Sequence, residues 1–221
     1  MDLSNALMTE VAGHRLALMP ERAVFNLGTG DLYVADLHIG KSATFRSGAI
    51  PIPDGDTAAD LVRLGSVIQS TEARRVVVLG DFLHAPASHL DQTWRQWRAT
   101  CPDLEIVVVR GNHDVTAGDP GADWGVELLD GPVKSGSLVF QHHPEASELG
   151  YVLSGHLHPA IRLRGVGRDS ILLPCFHVGE AVMVLPAFTS FSGGYRVVAG
   201  KKDRIFAIAD DAVLDVTALA R

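Results

Sequence analysis

The sequence predicts a layered α/β fold, and three observations carry that prediction. Short apolar runs recur along the chain, and each ends in a cluster of Gly, Asp, His or Asn. Helical patterns lie between the earlier runs, and the second half is richer in strand-like segments. The runs are mostly β-branched or aromatic, which is the composition of buried strands.

The first run, Leu32-Tyr33-Val34-Ala35, leads into Asp36-Leu37-His38. Arg75-Val76-Val77-Val78-Leu79 leads into Gly80-Asp81, and Ile106-Val107-Val108-Val109 leads, after Arg110, into Gly111-Asn112-His113-Asp114. Leu138-Val139-Phe140 precedes His142-His143, and Tyr151-Val152-Leu153-Ser154 precedes Gly155-His156-Leu157-His158. Two helices fall between these runs. Asp56 can N-cap one whose apolar stripe is Leu61, Leu64 and Ile68. The other spans about Asp91 to Ala99, with Trp94 and Trp97 on one face as core anchors. Further strands are expected at Ile161–Leu163, Ile171–Leu173, Ala181–Leu185, Ile205–Ala209 and Val213–Asp215, with a hairpin turn at Asp210-Asp211-Ala212. No repeat, low-complexity tract or linker divides the chain, so one domain over residues 1–221 is expected.

Hydrophobic residues make up 47% and charged residues 20% of the 221 positions, a globular balance. The net charge of -7 argues against tight non-specific binding to a polyanion, so a nucleic-acid substrate would need metals or a local basic patch. Cys101 and Cys175 form no Cys-x-x-Cys pair and are expected as reduced thiols in a cytoplasmic protein. No basic and apolar leader opens the sequence, and no apolar run reaches the ~20 residues of a membrane span.

Polar clusters at strand ends matter because in a layered α/β fold such ends converge on one rim. Asp36 and His38 are two apart, as are His156 and His158, and in an extended chain such pairs point to the same side. Asp81 and Asn112 each follow a glycine that permits a sharp turn or a close approach. The donors are carboxylate, imidazole and amide groups without thiolate, a mixture suited to Mn, Fe or Zn. Asp36, His38, Asp81, Asn112, His142, His156 and His158 are too many ligands for one tetrahedral ion. They suit two ions sharing a carboxylate, an arrangement used for displacement at phosphorus.

Asp-x-His, Gly-Asp, Gly-Asn-His-Asp, a strand-terminal His and Gly-His-x-His in this order resemble the calcineurin-like metallophosphoesterase superfamily. The connecting segments resemble its ligase-associated, PdeM-like branch. They are Ala35 to Lys41, Phe45-Arg46, Pro51-Ile52-Pro53, Gly80 to His84, His156 to Pro159, Leu173 to Phe176, Leu185 to Phe188 and Gly193-Gly194. The resemblance runs from about Asp31 to Gly194, with His177 standing where an aromatic residue is expected.

The resemblance implies a four-layer αββα sandwich and two divalent ions, Mn²⁺ first, Fe or Zn as alternatives. Asp36, His38, Asp81 and His158 would hold one ion, and Asp81, Asn112, His142 and His156 the other. A bridging hydroxide would attack phosphorus, and His113 would protonate the leaving oxygen. Asp114 would orient His113 and raise its pKa, as a neighbouring carboxylate does. The implied role is a DNA endonuclease of a bacterial DNA damage response, associated with an ATP-dependent DNA ligase or helicase.

His143 competes with His142 for one ligand position. His84, Arg46 and Arg110 are candidates for substrate contact, and Lys41 follows the first motif as a further cation. His14, His89 and His177 read as surface or core histidines. Two other functions stay open: hydrolysis of a small nucleotide, pyrophosphate or phosphomonoester, and a non-catalytic scaffold of the same fold.

Overall fold

The computed structural model describes residues 1–41, 56–86, 90–165, 169–190 and 192–220. Arg46 and His89, the Phe45-Arg46 and Pro51-Ile52-Pro53 segments, and the capping side chain of Asp56 lie outside this set.

Two sheets form the molecule. The first holds β1 (Leu7–Val11), β2 (His14–Met19), β3 (Ala23–Asn26), β4 (Asp31–Val34), β5 (Arg75–Leu79), β6 (Glu105–Val109) and β7 (Glu127–Leu129), in that spatial order. β1 to β4 make an antiparallel meander, whereas β4 to β7 run parallel. Parallel strands need crossovers, and helices α1 (Asp56–Thr71), α2 (Asp91–Arg98) and α3 (Asn112–Ala117) lie in them.

The second sheet holds β8 (Val133–Ser135), β9 (Leu138–Phe140), β10 (Tyr151–Ser154), β11 (Pro159–Arg164), β12 (Ser170–Val178), β13 (Val182–Val184), β14 (Tyr195–Arg196), β15 (Arg204–Ala209) and β16 (Ala212–Asp215). β12 is longer than the sequence implied and runs through Pro174. Its first half pairs with β11, and its second half with β13 and β15.

Period-two alternation divides the apolar residues between layers. Val76 and Val78 face the helices, together with Leu61, Leu64, Trp94 and Trp97. Val77 and Leu79 face the second sheet and meet Phe140, Leu153, Phe176 and Met183. This inter-sheet core gives the α, β and β layers that the resemblance implied. On the outer face of the second sheet a third cluster packs Ile161, Cys175, Val197 and Ile205, beside a short 3-10 turn at Thr217–Leu219. Among the described residues no α-helix covers that face, and no helix is long and apolar enough to cross a membrane.

The tryptophans anchor the helical layer. Trp94 stacks on Trp124 at 4.9 Å between centroids and donates its indole N–H to the Trp124 carbonyl at 3.0 Å. Phe82, directly after Asp81, meets Trp94 edge-on at 5.2 Å, so this cluster braces the loop behind the polar rim.

Both cysteines are free. Cys175 is fully buried, and burial pushes its thiol up to about 12. Cys101 is only partly covered. In native protein at about pH 8, Ellman's reagent is expected to titrate Cys101 alone, with Cys175 reacting after denaturation, because the thiolate is the nucleophile. Two fast-reacting thiols in folded protein would contradict this packing.

Candidate metal centre

The polar clusters follow the C-terminal ends of β4, β5 and β6 in one sheet and of β9 and β10 in the other. Backbone bonds lace these ends together. Asp36 N–H donates to Gly80 O at 3.1 Å, His38 N–H to Asp81 O at 2.9 Å, and Gly155 N–H to His142 O at 3.2 Å.

Two groups of donor atoms result, each gathered within 4.8 Å: Asp36, His38 and His158 in one, Asp81, His142 and His156 in the other. In the first, His38 Nε2 lies 3.3 Å from His158 Nε2, which is 3.5 Å from Asp36 Oδ1. In the second, His142 Nε2 lies 3.3 Å from Asp81 Oδ1, 3.1 Å from Asn112 Oδ1 and 3.1 Å from His156 Nδ1. Asp81 faces both, because its Oδ2 is 3.9 Å from His38 Nε2. Donors bound at about 2.0–2.1 Å to one ion stand roughly 3–3.4 Å apart, so the spacing within each group fits a divalent cation.

The imidazole tautomers fit as well. His142 Nδ1 lies 3.1 Å from Leu79 O, and His158 Nδ1 lies 3.3 Å from Gly193 O. A carbonyl only accepts, so Nδ1 carries the proton, the tautomer in which a neutral ring keeps a bare lone pair on Nε2. That nitrogen points into the cluster in both cases, an outer contact typical of metal-binding histidines.

The backbone at these positions is unusual. Asp36, His38, Asp81, His156 and His158 all have positive φ, between 48° and 73°. Few non-glycine residues adopt this region, and those that do cluster at functional sites. The extended geometry expected for Asp-x-His and His-x-His is therefore corrected: the donors converge through left-handed backbone just beyond the strand ends. Gly80, at φ +84°, completes such a turn, and a Cβ there would sit 2.2 Å from His142 Nδ1.

Glycine also makes room where its φ is ordinary. A Cβ on Gly111 would lie 2.3 Å from Asp81 Oδ1, and one on Gly155 would lie 2.6 Å from Asp36 Oδ2. Asp36 is held in place, accepting the His156 N–H at 3.0 Å. Gly155→Ala should therefore bind metal about 10–100-fold more weakly, the usual cost of disturbing a ligand's support, and the shift it forces also reaches Ala35 Cβ, 2.7 Å from the added carbon. Metal titration of the variant checks this, and unchanged affinity would contradict the geometry.

The cluster's own side chains set up a polarised charge pattern. Burial holds the His38 imidazole down to about 2, with Lys41 adding to the effect and Asp81 opposing it. Burial acts to raise Asp81, yet the His142 hydrogen bond and charge, His113 N–H and His38 bring it to about 2. Burial likewise acts to lower His142, and Asp81 reverses it, so His142 ends above its ordinary value. Lys41 is half-buried and lowered by burial, although Asp36 and Asp81 pull the other way. It therefore belongs to the field of the cluster.

The remaining sequence candidates divide. His113 meets His38 edge-on at 5.0 Å and stacks on His84 at 4.7 Å. His38, His84 and His113 form a third donor group beside the first, and burial brings His84 down to about 4. His142 is buried among the donors, whereas His143 is exposed and touches the site through its ring, 4.3 Å from that of His156. Asp114 is buried, and burial raises its pKa. Its carboxylate accepts backbone N–H groups of Leu83 at 2.7 Å, Gly111 at 2.8 Å and Phe82 at 3.3 Å. The structure thus gives Asp114 the loops on either side of His113 as partners, a positioning role exerted through the backbone.

Arg110 is committed to Asp119, in a bidentate pair, and to Asp130 at 3.2 Å. Its charge is balanced locally instead of being offered to the centre. His177 pairs with Asp203 at 2.7 Å, and His14 with Ser137 Oγ at 2.8 Å, both away from the cluster. Sequence reasoning missed Asp60, a buried carboxylate that pairs with Arg63 at 2.9 Å and accepts Ser190 N–H at 3.2 Å. It sits in mid-helix, where no local pattern distinguishes it from a surface charge.

No family model and no curated protein matches the chain. Among solved structures, the crystal structure of Pseudomonas putida nuclease MPE aligns with a TM-score of 0.81 and 33% identity, covering 96% of this chain and 100% of that one. The structure of YfcE, a phosphoesterase from E. coli, aligns at a TM-score of 0.39 and 16% identity, covering 85% of this chain and 98% of that one.

Proposed function

The chain belongs to the calcineurin-like metallophosphoesterase superfamily and is a metal-dependent phosphoesterase; from that premise we propose that it is a binuclear phosphodiesterase cutting DNA endonucleolytically. One observation supports the binuclear reading above others: the two oxygens of Asp81 address two separate groups of donors. Asp36, His38, Asp81 and His158 would hold one ion, and Asp81, Asn112, His142 and His156 the other. Mn²⁺ is the leading candidate, with Fe or Zn suited to the same donors. When bound, the two ions supply Lewis acidity, which activates water and neutralises charge on the phosphate.

The chain's own residues do the rest. His113, beside the first donor group, gives a proton to the leaving oxygen. Asp114 fixes the loops that carry Asp81 and His113. His84, stacked on His113, contacts the substrate phosphate, and Arg46 is a further candidate for that contact. Nucleic acid as substrate is supported by the relative named a nuclease. A place in a DNA damage response, beside an ATP-dependent ligase or helicase, follows the sequence resemblance, as does a single domain over residues 1–221. The two free thiols fit a reducing, cytoplasmic setting.

The test is Mn²⁺-loaded protein incubated with circular single-stranded DNA and, separately, with p-nitrophenyl phosphate. Linearisation of the circle is the expected result. Turnover of the monoester with the circle left intact would overturn the nuclease reading in favour of a small phosphate ester. Inertness toward both would favour the scaffold.

A further inference from the structure

The chain carries a net charge of -7, and most of the described arginines pair with carboxylates or donate to carbonyls. Arg63 pairs with Asp60, Arg75 with Asp31, Arg95 with Asp123 and Arg110 with Asp119. One group departs from this. Arg162 and Arg164 on β11 and Arg196 on β14 are all exposed, and none has a carboxylate partner among the described residues. Arg162 donates to Ser170 Oγ at 3.1 Å, which leaves its charge unbalanced.

Register puts the three on one face. Arg162 and Arg164 are two apart on one strand, and Arg196 stands opposite Ala160 in the parallel pair β11–β14. Leu172 stands opposite Arg162 on the same face. The alternate residues, Ile161 and Leu163, turn the other way into the third apolar cluster. The arginine face is therefore held rigidly by the packing behind it.

This face connects to the metal centre. β11 begins one residue after His158. A cavity of about 160 Å³ is lined by His158 together with Ala160 and Leu172, the cross-strand neighbours of Arg196 and Arg162. At about 3.3 Å per strand residue, Arg162 lies roughly 13 Å beyond His158 and Arg164 roughly 20 Å. The cations thus leave the centre in single file. Exposed apolar surface accompanies them on that face, where Leu172 is 43% exposed. A positively charged path that tracks the backbone is how single-stranded nucleic acid is held without sequence preference.

We infer that the Arg162–Arg164–Arg196 face is a track for the backbone of a single nucleic-acid strand on one side of the phosphate being cut. This rests on the nuclease reading and adds to it the path of the polymer. It reconciles an acidic protein with a polyanionic substrate, because the local field at the groove is positive while the rest of the surface repels.

The test is the variant R162Q/R164Q/R196Q in the full, Mn²⁺-loaded protein, compared with wild type on a dinucleotide, bis-p-nitrophenyl phosphate and a long single-stranded oligonucleotide. The two small diesters are too short to span the distance to Arg162. Their turnover is expected to stay within about twofold, while KM for the long strand rises roughly ten- to a hundredfold at low salt. The slope of log(kcat/KM) against log salt should become shallower by about 2, from three lost phosphate contacts at ~0.7 each. R162K/R164K/R196K, which keeps the charge, should recover most of the loss.

An unchanged KM and salt slope on the long strand, in an enzyme whose wild type cuts it, overturns the track and leaves the nuclease reading standing. An equal loss on all three substrates makes the arginines structural and also overturns it. Failure of the wild type to cut the long strand, with the small diesters still turned over, removes the nuclease reading and the track together.

Discussion

Asp81→Asn is expected to lower turnover of bis-p-nitrophenyl phosphate by roughly three orders of magnitude or more, as for any member of an interdependent catalytic set. Asn keeps the shape of the side chain and removes its charge. That charge faces both donor clusters, and it is buried, so water cannot replace it. The same carboxylate holds His142 above its ordinary pKa, against the effect of burial. Losing it therefore removes the proposed shared ligand and the electrostatic partner of a second one. Metal content measured by mass spectrometry should fall from two ions per chain toward one. A variant that retained two ions and full turnover would show that Asp81 bridges nothing.

His113→Ala is the second large effect, about 10²–10⁴-fold for lost general acid catalysis. The loss should depend on the leaving group. A nucleoside alkoxide needs a proton, whereas p-nitrophenolate leaves without one, so cleavage of DNA should suffer more than that of bis-p-nitrophenyl phosphate. Metal content should not change. This outcome separates the general acid from the other reading its position permits, since His113 also completes a donor group with His38 and His84. Loss of an ion in the variant would make His113 a ligand and refute its role as acid. An unaltered rate on both substrates would show that His113 gives no proton to the leaving oxygen.

Much of the frame was legible because it depends on local pattern. The runs that became β4, β5, β6, β9 and β10 are short, apolar and closed by polar residues. Their ends converge because parallel strands in one sheet point the same way. Trp94 and Trp97 read as core anchors and are buried. The first three strands were not foreseen, although Leu7–Val11 and His14–Met19 pair in register across Ala12-Gly13. Their polar and apolar residues alternate too briefly to stand out before the meander is assembled. Pro174 hid the length of β12, because proline removes a strand donor, and here it sits where β12 passes from one set of partners to the other.

The site was legible as a set of residues and not as a mechanism of placement. Motif order gathers Asp36, His38, Asp81, Asn112, His142, His156 and His158. The left-handed backbone at five of these positions is a tertiary outcome that spacing does not encode. Partner choice is equally hidden. Arg110 stands beside the Gly-Asn-His-Asp motif in sequence, yet Asp119 and Asp130 claim it. Asp114 is adjacent to His113, but its carboxylate turns to amides of the Phe82–Leu83 loop. The arginines of β11 and β14 are unremarkable in sequence and form a group only once the strands pair.

The measurement that tests the account most directly is a titration of metal-stripped protein with Mn²⁺, following hydrolysis of bis-p-nitrophenyl phosphate. The account predicts no turnover without metal and a rise that levels off near two equivalents per chain, as two donor groups sharing Asp81 require. Turnover by the stripped protein, saturation at one equivalent, or inertness of folded protein carrying two ions would each contradict it.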